Sequence, residues 1–393
     1  MKKHKILIIG GVLVVTALIL TIYQFVSREP TSIEIVSIHP SQPAVGERMT
    51  VNFRVFGGAG DFSIAILPDT QHYSQAYPDL YYAQTQWIVE NRHSRNIIFV
   101  SHLGDLVQHD DMLVDEWEVA DNAMRTLDGV IPYGVLPGNH DMQAGGTAHF
   151  YNQYFPASRF QEDPWWGGNF NENKNSYHLL TAAGTDYIFL HLQYCPPDTV
   201  IDWVNEVLQN YSDRKAIVAT HSFLLDKGKR VGHCQEKSDG DNSGYDIWKK
   251  VIRKNTNIFM VLSGHIPGAS RRADEVDGRV VYQLLSDYQD MSNGGDGYLR
   301  VITFQPNLDK VRVITYSPAL DAYLMDDQNQ FDLYFDMIGG RLPSGTVTIT
   351  NGNESCQATV ADGYCELVIS DANGLDFRAS YTGDLFFKGS VSE

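Results

Sequence analysis

Aspartate, asparagine and histidine recur in this chain directly behind short apolar runs, and these are residue types that bind divalent metals. Asp69 and Gln71 follow Phe62–Leu67, and Asp105 follows Asn96-Ile97-Ile98-Phe99-Val100. Asn139, His140 and Asp141 follow Tyr133-Gly134-Val135-Leu136, His221 follows residues 216–219, and His265 follows residues 258–262. A single Asp after a strand is ordinarily a turn or helix cap, and a single His there is a satisfied polar residue. Five such tips in order are another matter, because a parallel-type sheet gathers its strand ends along one edge. Carboxylate, amide and imidazole together suit Mn, Fe or Zn rather than Cu(I) or an iron–sulfur cluster.

The elements that must position these residues alternate between about Asp61 and Asp336. Leu80, Ala83, Trp87 and Ile88 share one helix face, as do Val200, Trp203, Val204, Val207 and Leu208, and again Ile247, Trp248, Val251 and Ile252. Strand, polar tip, helix, strand is the rhythm of an α/β core. After Gly278 residues 280–285, 299–304 and 311–316 read as successive strands, predicted to complete the sheet antiparallel. The flanks differ. Residues 345–392 hold short β segments with turn signals at Asn351-Gly352, Asp362-Gly363, Asn373-Gly374 and Gly383-Asp384, and residues 33–56 read as two strands.

The ordered series Pro68-Asp69-Thr70-Gln71, Gly104-Asp105, Gly138-Asn139-His140-Asp141, Thr220-His221-Ser222 and Ser263-Gly264-His265 resembles the motif set of calcineurin-like metallophosphoesterases. The resemblance implies a four-layer αββα sandwich over residues 58–338, with two divalent metals at one site. Carried over, Asp105 bridges the metals, Asp69 binds the first, and Asn139, His221 and His265 bind the second. His140 corresponds to the catalytic histidine, oriented by Asp141. Two metals would lower the pKa of a shared water and neutralise phosphate oxygens during in-line attack.

Two positions depart from that pattern. Asp-x-His is here Asp69-Thr70-Gln71, and Gly-His-x-His is Gly264-His265-Ile266-Pro267. Both missing histidines would serve the first metal; Gln71 offers only a neutral carbonyl oxygen and proline offers nothing. The opening, with Asp287-Tyr288-Gln289 and residues 293–300, resembles a branch of the family whose first motif is Pro-Asp-Thr-Gln. Asp287 is a replacement ligand on that reading, or else a loop carboxylate capping a turn. His72, His102 and His109 lie near motifs and read as bystanders, with His102 packed under the Gly-Asp loop. Trp165, Trp166 and residues 151–155 either rim a substrate pocket or pack a long insertion.

Residues 339–393 resemble part of a bacterial Ig-like repeat, carried by Gly345-Thr346-Val347-Thr348 and Ala379-Ser380-Tyr381-Thr382-Gly383-Asp384. Its leading strands sit instead at residues 30–57, so the phosphoesterase is expected to be inserted into one small all-β domain. Residues 1–29 carry a basic flank, Met1-Lys2-Lys3-His4-Lys5, before an apolar run over residues 6–26. That run is long enough for a transmembrane helix with its N-terminus inside. A cleaved signal peptide is the rival reading. Either reading puts the rest outside the cytoplasm, anchored to the cell membrane or secreted. The four cysteines fit an oxidising space as Cys195 with Cys234 and Cys356 with Cys365.

Acidic residues outnumber basic ones 48 to 30, for a net charge of −18. No Lys/Arg run reverses that sign, so binding of a nucleic-acid duplex is not expected. The expected activity is hydrolysis of phosphomonoesters or phosphodiesters by metal-activated water. The alternative is a non-catalytic surface protein with a degenerate site, meeting a cell-surface partner through its Ig-like module.

Overall fold

The computed structural model describes residues 31–41, 44–57, 60–110, 114–234, 237–337, 345–370, 376–383 and 390–391. The predicted membrane segment at residues 6–26 lies outside them, and among the described residues no helix is long and apolar enough to cross a membrane.

Two strands come first, β1 (Thr31–His39) and β2 (Arg48–Gly57). Next, β3 (Phe62–Leu67), α1 (Gln71–Ala76), α2 (Pro78–Asn91), β4 (Ile97–His102), α3 (Val114–Arg125) and β5 (Tyr133–Gly134) alternate. They lead through α4 (His149–Tyr154) to β6 (Trp166–Phe170), β7 (Asn175–Ala182) and β8 (Thr185–Leu192). Helix α5 (Asp198–Asn210) precedes β9 (Lys215–Thr220), and α6 (Gly244–Ile247) precedes β10 (Ile258–Ser263). Strands β11 (Gly268–Val276), β12 (Arg279–Asp287), β13 (Leu299–Gln305), β14 (Lys310–Ser317), β15 (Ala322–Leu324) and β16 (Phe331–Tyr334) follow. The last strands are β17 (Thr346–Thr350), β18 (Ser355–Thr359), β19 (Tyr364–Val368), β20 (Arg378–Tyr381) and β21 (Ser390–Val391).

The chain forms two compact units, one of residues 60–337 and one from the segments on either side. In the larger unit one sheet runs β15-β14-β13-β3-β4-β5 and the other β11-β12-β10-β9-β8-β7-β6. Strands β3 and β10 are buried along their whole length, because one face meets the other sheet and the other face meets helices. Phe99 stacks on Phe189 at 4.3 Å between the sheets, and Phe62 meets Tyr187 edge-on at 5.4 Å. Outside the first sheet Tyr81, Ile88, Trp117 and Met124 pack on Ala65, Leu67 and Val100; outside the second, Val200, Val204, Ile247 and Val251 pack on Leu190, Val218 and Val261. Helix, sheet, sheet, helix is the resulting order of layers.

The segment after Gly278 corrects one expectation. Strand β12 runs antiparallel to β11 but parallel to β10, whereas β13, β14, β15 and β16 make antiparallel pairs alone. The carboxyl ends of β9, β10 and β12 therefore point the same way.

The smaller unit has two facing sheets, β1-β2-β19 and β18-β17-β20-β21. Met49, Val51 and Leu367 of the first share a core with Val347, Ile349 and Ala379 of the second. Cys356 in β18 is disulfide-bonded to Cys365 in β19, so this bridge joins the sheets rather than closing a hairpin. Cys195 and Cys234 form the other disulfide.

Candidate metal centre

The carboxyl ends of β3, β4, β9 and β10, with the loop after β5, bring Asp69, Asp105, His221, His265 and Asn139 together. Parallel registers make this so. Leu67 is level with His102 and Ser101 with Gly134 in one sheet, as Ala219 is with Leu262 in the other. Each strand then turns sharply. Asp105 and His265 hold φ at 50° and 71°, a region costly for residues with a Cβ. A Cβ at Gly138 would lie 2.0 Å from Asp105 Oδ1, and one at Gly264 would lie 2.1 Å from Asp69 Oδ1. Only glycine lets the backbone come this close to either carboxylate.

His221 is the hub. Its Nδ1 donates to the Leu103 carbonyl at 2.9 Å, which leaves Nε2 to face the other groups. Nε2 is 3.1 Å from Asn139 Oδ1, 3.2 Å from Asp105 Oδ2 and 3.1 Å from His265 Nδ1. One Nε2 proton cannot satisfy three acceptors at once, whereas a cation among them satisfies all of them. Burial opposes charge on His221, but Asp105 beside it raises its pKa. Burial and the neighbouring His221 lower His265 to about 4, so its imidazole is neutral and available as a ligand at pH 7. The donor set fits a divalent metal of the Mn, Fe or Zn kind.

Asp105 faces both ways. Its Oδ1 accepts the His140 backbone N–H at 2.9 Å while Oδ2 faces His221. Burial works against its charge, but His221 holds its pKa down at about 2. Its backbone carbonyl accepts the Thr70 N–H at 3.1 Å, which ties the loop after β3 to the loop after β4. Asp69 accepts the His265 N–H on both oxygens, at 3.2 and 3.0 Å. Burial pushes Asp69 well above the usual carboxylate range, and Asp287 and Asp105 push it the same way. Among the described residues no Lys or Arg pairs with Asp69, Asp105 or Asp287.

One expectation changes. Asp141 does not orient His140: the His140 Nδ1 donates to the Gln108 carbonyl at 2.9 Å. Asp141 is fully buried, and its Oδ1 accepts the Leu106 and Val107 amides at 2.8 and 3.1 Å while Oδ2 accepts Gly138 N–H at 2.8 Å. It clamps the two loops that carry Asp105 and Asn139. Gln71, expected as a first-metal ligand, gives its amide nitrogen to Gln289 Oε1, while its own buried Oε1 has no hydrogen-bond donor.

The bystander histidines divide. His102 accepts Gly104 N–H at Nδ1 and meets Thr70 Oγ1 at 3.0 Å, supporting the Gly-Asp loop, and burial lowers it to about 3. His109 pairs with Glu116, and His72 meets Gln75. None joins the cluster. Trp166 stacks on Phe160, and Trp165 packs on His178, as in the packing reading. Sequence reading missed the Leu103 and Gln108 carbonyls, which carry no side-chain signal. It also missed Tyr194, whose ring packs on both ligand imidazoles at 5.7 and 5.3 Å.

Over 291 residues the chain is 38% identical to an uncharacterized protein of Bacillus subtilis (strain 168), YvnB; the match covers 70% of this chain and 22% of that protein, so the chain spans about a fifth of that relative's length. Among solved structures, a dimetal phosphatase from Danio rerio is 10% identical with a TM-score of 0.48, covering 70% of this chain and 100% of that one. The inner-membrane-complex anchor GAP50 of Plasmodium is 11% identical with a TM-score of 0.42, over 71% of this chain and 91% of that one. The profile of calcineurin-like phosphoesterases matches residues 62–269, more than half of the chain and the stretch that carries every side chain of the His221 cluster, so the chain belongs to that family.

Proposed function

We propose that this chain is an extracytoplasmic, metal-dependent phosphoesterase acting on phosphomonoesters or phosphodiesters. The observation that carries the reading is the His221 Nε2 facing Asn139, Asp105 and His265, an arrangement suited to a cation rather than a proton. In this reading Asn139, His221, His265 and Asp105 would hold one metal, and Asp69 and Asp105 are the carboxylates available to a second. Bound divalent metal would supply Lewis acidity, lowering the pKa of water and neutralising phosphate oxygens. The protein's own part is to hold the loops rigid, keep the His265 imidazole neutral, fix the His221 ring on the Leu103 carbonyl, and present His140 Nε2 to the leaving oxygen, with Nδ1 fixed on Gln108. The two disulfides favour an oxidising compartment, reached through the apolar N-terminal segment as anchor or signal. The smaller two-sheet unit is read as an Ig-like module for a cell-surface contact.

The test is metal analysis of the purified chain followed by hydrolysis of bis-p-nitrophenyl phosphate with Mn²⁺. Turnover should vanish on chelation and fall at least 100-fold in Asp105→Asn. The Pro267 and Gln71 departures favour the alternative of a binding protein with a degenerate site. A chain that holds no metal and turns over neither mono- nor diester would decide for it.

A further inference from the structure

The departures at Gln71 and Pro267 leave the metal position beside Asp69 without histidine, and the neighbouring strand supplies another group. Strand β12 runs parallel to β10 with Leu285 level with Ser263, and it ends at Asp287, on the same carboxyl edge from which the chain of β10 runs on to His265. In the antiparallel pair with β11, Asp287 stands opposite Gly268, the residue after Pro267. Where proline offers no ligand, the adjacent strand brings a carboxylate to the same edge.

That carboxylate is fully buried, and Gln289 holds both of its oxygens: the backbone N–H donates to Oδ1 at 2.9 Å and Nε2 donates to Oδ2 at 2.8 Å. The Gln289 Oε1 in turn accepts the Gln71 amide nitrogen. This relay orients the Gln71 side chain, 4% exposed, and leaves its Oε1 without a donor. Turn capping accounts for one oxygen of Asp287. It does not account for a buried carboxylate lacking a cationic partner, nor for the orphan carbonyl two residues beyond Asp69.

We propose that Asp69, Asp105, Asp287 and the Gln71 Oε1 form an all-oxygen site for a hard divalent cation of the Mn²⁺, Mg²⁺ or Ca²⁺ class, next to the histidine-containing site. The two positions then differ in kind: imidazole and amide on one side attract Zn²⁺ or Fe²⁺, and oxygen alone on the other discriminates far less in their favour. The result is a mixed pair selected by ligand chemistry. The inference rests on the phosphoesterase reading only in placing the first site at Asp69.

The experiment uses the full chain, stripped with chelator and loaded with one equivalent of Zn²⁺. Mn²⁺ is then titrated and followed by electron paramagnetic resonance, with bound Zn²⁺ counted by mass spectrometry after equilibrium dialysis. Wild type should take up one Mn²⁺ beside the retained Zn²⁺. Asp287→Asn should weaken Mn²⁺ at least tenfold and leave Zn²⁺ bound. Gln71→Glu, which adds a charge at the carbonyl position, should tighten Mn²⁺ several-fold and keeps the test open if Asp287→Asn does not fold. Mn²⁺ affinity within twofold of wild type in the folded variants would overturn the proposal while leaving the phosphoesterase reading intact. A wild-type chain that binds neither ion would overturn both.

Discussion

Asp141→Asn separates a residue that moves protons from one that holds loops. The Asp141 carboxylate receives three buried amides, two on Oδ1 and one on Oδ2. Asparagine keeps one oxygen. In its better orientation that oxygen stays with Leu106 and Val107, and the new NH₂ faces the Gly138 N–H, donor against donor. Losing one hydrogen bond to a charged acceptor costs about 1.5–3 kcal/mol, and leaving the Gly138 amide buried without a partner adds about 1–3 kcal/mol. Part is returned, because a neutral amide is less costly to bury than a carboxylate. A net loss of about 3 kcal/mol is expected. For a unit of this size that lowers Tm by roughly 5 °C. Calorimetry on the zinc-loaded chain reads this directly, and metal content should fall because Asp105 and Asn139 sit on the freed loops. Residual hydrolysis per bound metal should keep both limbs of its pH profile. An unchanged Tm with one limb missing would mean that Asp141 acts on the His140 proton after all, and the clamp argument would be wrong.

Gly138→Ala should strip metal as effectively as loss of a ligand, since its Cβ would fall 2.0 Å from Asp105 Oδ1; retained stoichiometry by mass spectrometry would contradict it. In chelator, Asp287 should make the protein less stable as pH rises from about 4 to about 7. Burial lifts its folded pKa to about 7 against hydrogen bonds from Gln289, so in that window the folded state keeps a proton the unfolded state has released. Buried His102, His178, His191 and His265, all lowered, work the other way, so the quantity to measure is the difference in urea midpoint between wild type and Asp287→Asn at pH 5 and pH 8. Wild type should lose more on going to pH 8, by up to about 2.7 kcal/mol. Replacing Cys195 and Cys234 by serine opens a loop with a sequence separation of 39 and should cost about 4 kcal/mol by the chain-entropy relation. Zinc affinity should weaken with it, because Tyr194 beside Cys195 packs on His221 and His265; an unchanged thermal transition would refute this.

The strand-tip series was readable because an apolar run announces a buried strand and the next polar residue then lies at its end. Asp69, Asp105, Asn139, His221 and His265 needed no more than this to be singled out together. What those residues do to one another was not readable. Asp141 looks like a partner for its neighbour His140, and only the loop geometry shows its oxygens already taken by amides. Strands β7 and β8 escaped notice because His178 and His191 point inward between the sheets, which breaks the apolar pattern, and β6 because Gly167-Gly168 reads as a turn. The direction of β12 was misjudged because a hairpin with β11 conceals its parallel pairing with β10. Pairing of the cysteines by proximity was correct, but nothing in the spacing shows that Cys356 and Cys365 belong to different sheets.

Strand β2 pairs with β19, Asn52 beside Tyr364, so the smaller unit joins segments synthesised on either side of residues 60–337. During translation β2 emerges early and its edge must stay unpaired until the ribosome has passed all of residues 60–337 and made β19. An open strand edge is a template for aggregation, and a contact of such high sequence separation forms slowly. Removing β19 would hence uncover an edge on β2, more than 300 residues earlier in the chain.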